Sequence, residues 1–109
     1  MNHWLDLIAY FFGGMFLTNA IPHWVSGMMG QAFQSPFAKP PGVGLSSATV
    51  NVLWGLLNLV IAYLLIACVG VFDIHSAADV LGTGIGMLAM SIMAAKTFGK
   101  FHGGDLSKK

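Results

Sequence analysis

Arginine and glutamate are both missing from this chain, and four aspartates and five lysines supply all its charged side chains in 109 residues. A net charge of +1 with no basic cluster offers no surface for nucleic acid, so that class of partner is excluded. The missing glutamate bears on transport, because proton-coupled exporters rely on a carboxylate inside the membrane. Asp79 is the nearest candidate, and it falls close to a helix end. A single cysteine, Cys68, cannot form an intrachain disulfide and leaves the redox compartment open. There is no Gly-x-Ser-x-Gly, no phosphate loop and no paired-cysteine motif, so no reaction is named and a non-enzymatic role is expected. The N-terminus lacks the positive stretch of a secretory signal and is expected to be retained, and no lipidation box ends the chain.

Apolar sequence takes the place of charge. Hydrophobic residues make up 56% of the chain, charged residues 8%, and mean hydropathy is +0.75. Soluble domains carry about 25% charged residues, so an integral membrane protein is expected. About 20 helical residues cross a bilayer, and three segments qualify, near 4–29, 48–72 and 78–98. The fold expected is all-α, a single domain over 1–109 with three transmembrane helices and a C-terminal tail at 99–109. The 30–47 connection holds Pro36, Pro40, Pro41, Gly42 and Gly44, which predicts an ordered or semi-rigid loop, with re-entry left open. Ser46 or Ser47 can cap the second helix, and the short second connection predicts an antiparallel hairpin of helices two and three.

Lysine placement predicts orientation. Lys39 lies in the first loop, while Lys96, Lys100, Lys108 and Lys109 lie at or beyond the end of the third span; Asp6, Asp73 and Asp79 fall on the opposite side. The N-terminus is therefore expected outside and the C-terminus in the cytoplasm. Trp4 and Trp24 stand twenty residues apart, about 30 Å along a helix, matching two interfacial anchors. His23 then falls near the cytoplasmic boundary, beside Pro22, where a kink or an early helix end is expected.

Polar and small residues inside the spans mark candidate sites. Asn51, Gly55, Asn58 and Ala62 recur along one stripe of the second helix, and Gly82 and Gly86 repeat four apart on the third. Such stripes serve helix packing, and Asn58, the deepest amide, can instead contact a substrate or ion. Asn19, His23, Asn51 and Asn58 together are candidates for a cytoplasmic-side vestibule over which the loop folds. His23 and His102 are expected on the same side, within reach of a site shared with Lys96 and Lys100. On the outer side, His3, Asp6 and Asp73 join His75 and Asp79, a weak metal candidate pair that shares a face if the third helix begins by residue 75; the alternative is a set of turn and helix-start residues. Met87, Met90 and Met93 repeat at three, a spacing that fits apolar filler or soft metal ligands.

At Pro22-His23-Trp24, at Ser35-Pro36-Phe37-Ala38-Lys39-Pro40-Pro41-Gly42 and at Asn51-x-x-Trp54-Gly55-x-x-Asn58 the chain resembles a family of small uncharacterised bacterial inner-membrane proteins. The resemblance covers about residues 13–64. It implies a bacterial inner-membrane location and a non-random first loop, and it carries no functional residue across.

Three functions compete on these residues. The first is a non-enzymatic homo-oligomer or subunit of a larger membrane complex, packed through Asn58 and Gly86. A small oligomeric transporter or channel with an inner vestibule is the second. Third is a redox subunit binding haem or quinone through His23 under Phe16, Trp24 and Trp54.

Overall fold

The structure is a computed structural model that describes residues 3–104 and Leu106. Lys108 and Lys109, which contribute to the expected orientation, lie outside the described residues. Three helices run α1 (His3–Met28), α2 (Ala48–Ala67) and α3 (Ala77–His102), and each is long and apolar enough to cross a membrane. Between α1 and α2, two short strands, β1 (Phe33–Gln34) and β2 (Leu45–Ser46), pair antiparallel with Phe33 opposite Ser46 and Gln34 opposite Leu45.

The helix order in space is α2–α1–α3. Both flanking helices pack on α1 and scarcely touch each other, so α2 and α3 do not form the expected hairpin despite their short connection. The reason lies in where the small residues sit. Gly13 and Gly14 are adjacent on α1 and so point in directions about 100° apart. Gly13 receives Ile66 of α2, while Gly14 lies against the Thr83 carbonyl of α3. Gly55 meets the Trp24 backbone, Gly27 meets Ala48 and Val52, and Gly86 meets the Phe11 carbonyl. A side chain at Gly14, Gly27, Gly55 or Gly86 would push two backbones apart, while one at Gly13 would displace the Ile66 side chain. Gly82 has ordinary contact with Leu7. The packing stripes therefore face α1 within the same chain.

The buried set is small or polar: Asn51, Gly55, Asn58 and Ala62 on α2, with Asp79 and Gly86 on α3. Leu53, Val60, Tyr63, Leu81, Ile85 and Leu88 are exposed. Apolar outside and amide inside inverts the usual arrangement in water and fits a lipid surround, where close packing and interhelical hydrogen bonds hold helices together.

Helix boundaries depart from expectation at the ends of α2 and α3. α1 runs to Met28, close to the expected 4–29, without an early end at Pro22, and Gly27 in its last turn packs against the start of α2. Gly30, with φ of 75°, then turns the chain in a conformation that disfavours side chains. α2 stops at Ala67, earlier than its hydropathy suggests. The apolar residues that follow fold over the end of α1: Phe72 sits edge-on to Tyr10 at 5.2 Å and Gly70 makes room for the Asp6 carboxylate. α3 runs past its apolar stretch to His102 and is closed by Gly103 in the left-handed region.

Candidate functional site

The end of the molecule bearing the strands gathers most of the candidate residues. Ser47 caps α2 by accepting from the Val50 amide, which places Asn51 one turn inside the helix facing α1 and the loop. Asn51 is fully buried, and its Nδ2 donates to the carbonyls of Phe33 (3.1 Å), Ser46 (3.2 Å) and Ser47 (3.1 Å). Three carbonyl acceptors leave no ambiguity about which amide atom is nitrogen. Oδ1 then faces His23 Nδ1 at 2.8 Å, and since a carbonyl oxygen only accepts, Nδ1 carries the proton. In the neutral ring the lone pair is on Nε2. That atom has no hydrogen-bond partner among the described residues, and the ring, buried at 2% exposure, forms part of the wall of an adjoining cleft.

One turn deeper, Asn19 Nδ2 donates to Asn58 Oδ1 (3.1 Å), and Asn58 Nδ2 donates to the Trp54 carbonyl (2.7 Å). The four candidate vestibule residues thus form two pairs, each joining α1 to α2. Asn51 and Asn58 have their amides committed to structure. Asn19 and His23 remain to face a cleft of about 350 Å³ between α1, α3 and the loop, within the range of small-molecule sites.

The loop is a hydrogen-bonded lid on that cleft. Ser35 and Ser46 join their hydroxyls at 2.6 Å, Ser35 Oγ also accepts from the Phe37 amide, and the Gly42 amide returns to the Ser35 carbonyl. Pro36 and Pro41 form part of the cleft lining, as do Trp54 and Phe98. Among the described residues no lysine or aspartate lines it.

His102 reaches the same end from α3. Its Nε2 pairs with Gln34 Oε1 at 2.8 Å and its ring stacks on Phe33 at 5.0 Å, while Phe33 meets His23 edge-on at 5.4 Å. The two histidines are therefore held on either side of one phenyl ring, and a group ligated by both would have to displace Phe33. Lys96 and Lys100 line a separate groove with Gly104 and do not join the cleft. Met90 and Met93 border a smaller groove of about 160 Å³ that shares Asn19, Thr97 and Phe98 with the cleft. Phe16 and Trp24 make no ring contact with His23; Trp54 does, at 6.3 Å.

The opposite end corrects the metal candidate. Ser76 caps α3, which begins at Ala77, so His75 lies outside the helix and is exposed while Asp79 turns inward at 1% exposure. The two do not share a face. Asp79 Oδ2 accepts from the Asp73 amide (3.0 Å), Asp73 Oδ1 accepts from the His75 amide (2.8 Å), and the Asp79 amide donates to Ser76 (3.3 Å). These are turn and helix-start roles. His3 Nε2 lies 3.1 Å from Asp79 Oδ1 without hydrogen-bond alignment. No group of three metal-ligating side chains occurs among the described residues. Cys68 is exposed at the end of α2.

Gln34, Phe33, Phe98 and Thr97 belong to the site although nothing in the sequence singled them out. The Ser35 and Ser46 hydroxyls flanking the proline-rich stretch were the available signal for a closed hairpin. No family model matches the chain, and no match was found among curated proteins or solved structures.

Proposed function

We propose that this chain is a non-enzymatic three-pass protein of a bacterial inner membrane that binds a small ligand in the loop-capped cleft. The N-terminus lies outside, and the cleft and C-terminus lie at the cytoplasmic face. Three long apolar helices with apolar outer surfaces support membrane insertion. Lys39, Lys96 and Lys100 gather at the cleft end and Asp6, Asp73 and Asp79 at the other, a distribution that supports the orientation. The bacterial assignment rests on the resemblance over residues 13–64.

The observation that carries the binding role is the division of labour within Asn51. Its amide nitrogen staples the loop to α2 while its oxygen orients His23 toward the cleft. Histidines that bind ligands or metals are commonly oriented this way, by a hydrogen bond at the other ring nitrogen. A purely structural histidine has no need to keep one nitrogen free beside a cavity. Binding is favoured over conduction because α2 and α3 do not close on each other, so one chain lines a cleft and encloses no pore. Assembly through the Asn58 and Gly86 stripes loses its footing, since both are packed against α1.

Native mass spectrometry of protein extracted in mild detergent tests this reading. Wild type is expected to retain a small molecule that His23→Phe protein has lost. Equal spectra for the two, with both folded, would contradict it.

A further inference from the structure

We infer that the ligand of the cleft is a membrane-soluble phenol or hydroquinone, its hydroxyl donating to His23 Nε2 and its apolar chain lying along Met90 and Met93. The inference rests on the binding role proposed above and names the chemistry of its ligand. Hydrogen-bond polarity comes first. Because Asn51 Oδ1 takes the Nδ1 proton, the neutral imidazole offers the cleft a lone pair, and a partner must bring a donor. Asn19 adds to this, since its Nδ2 is engaged with Asn58 and its carbonyl oxygen is left without a partner among the described residues. The lining also holds donors in the Gln34 amide, the Thr97 hydroxyl and the Trp54 indole N–H, so a hydroxyl, which both donates and accepts, complements it where a quinone or ketone oxygen would leave His23 Nε2 unmet.

Charge and shape narrow the class. Among the described residues the lining has no lysine or aspartate, so it presents no counter-charge for a phosphate, a carboxylate or an ammonium group. A neutral head group is required. The indole of Trp54 and the phenyl of Phe98 flank the space with Pro36 and Pro41, flat apolar surfaces suited to a ring. The tail follows from continuity. Asn19, Thr97 and Phe98 border both the cleft and the groove beside Met90, Met93 and Ala94, so a chain leaving the ring passes between α1 and α3 toward the middle of the span. Methionine side chains adapt to such a chain without fixing its length.

The test uses the full chain in lipid nanodiscs with three probes: decylhydroquinone, its dimethyl ether and 1-decanol. Calorimetric titration is expected to show the hydroquinone binding about tenfold more tightly than the ether, the worth of one hydrogen bond in a dry site. His23→Phe should abolish that discrimination. If this variant fails to fold, Ala94→Phe narrows the groove away from the Asn51 pair; it should weaken decylhydroquinone while leaving methylhydroquinone unchanged. Equal affinity of wild type for hydroquinone and ether overturns the inference, as does 1-decanol binding as well as the hydroquinone. In either case a different molecule retained in a His23-dependent way leaves the binding role standing. Absence of any such molecule removes both.

Discussion

His23 and Asn51, twenty-eight residues apart, are joined side chain to side chain at 2.8 Å, and the same asparagine holds both ends of the intervening hairpin through the carbonyls of Phe33 and Ser46. One residue therefore links α1, α2 and the lid. Asn51→Leu removes the side-chain donor from the Phe33 and Ser46 carbonyls and the acceptor from the imidazole N–H, while the Ser47 carbonyl keeps the Asn51 backbone amide; a buried group left unsatisfied costs about 1–3 kcal/mol. Strong destabilisation is expected, with the 30–47 loop becoming a cleavage site. Limited proteolysis in detergent, followed by mass mapping, reads both effects.

Glycine positions separate packing from propensity. Gly86 lies against the Phe11 carbonyl and Gly84 faces open space. Gly86→Ala must push α3 away from α1, a cost of about 1–3 kcal/mol for overpacking. Gly84→Ala should be neutral or stabilising by up to about 1 kcal/mol, since alanine favours helix. Reversible unfolding in mixed micelles compares the two.

The deeper amide pair should matter less. Asn19 and Asn58 share one interhelical bond, and such bonds in membranes average about 0.6 kcal/mol. Asn58→Leu also crowds α1, whereas Asn19→Ala removes the bond without adding bulk. A loss near or below about 1 kcal/mol is expected for Asn19→Ala, with the lid still protected from protease.

At the far end, Asp79 and His3 are expected to respond unequally although they lie 3.1 Å apart. Asp79 is buried and holds the Asp73 amide, while the His3 side chain is 53% exposed. His3→Ala removes a half-exposed imidazole that makes no aligned hydrogen bond to Asp79 and should change stability by less than about 1 kcal/mol. Asp79→Ala frees the turn before α3. Hydrogen exchange should then quicken at the Asp73 and Ser76 amides and leave the cleft end as in wild type.

Much of the fold was legible because it follows from one-dimensional periodicity. Asn51, Gly55, Asn58 and Ala62 mark the inward face of α2 by spacing alone, and three long apolar runs mark the helices. Hydropathy misjudged the end of α2, because part of the stretch beyond it is apolar for a tertiary reason: Phe72 packs edge-on to Tyr10 of α1, and Gly70 lies against Asp6. The row order α2–α1–α3 depends on Gly13 and Gly14 standing side by side on one helix. That pair carries no signal until both neighbours are known. The site was half legible. His23 and Asn51 stood out as polar residues in apolar sequence, but their pairing, the polarity it imposes on the imidazole and the arrival of Phe98 from α3 are contacts between distant segments that spacing does not encode.

The central claim is that Asn51 fixes His23 with its proton on Nδ1 and its lone pair toward the cleft. Nitrogen-15 spectroscopy of selectively labelled histidine, assigned by comparison with His23→Phe protein in bilayers at neutral pH, measures this directly. The expected result is a neutral His23 ring protonated at Nδ1 whose Nε2 resonance moves when decylhydroquinone is added. A ring protonated at Nε2, or an Nε2 resonance unmoved by saturating hydroquinone, would contradict the account.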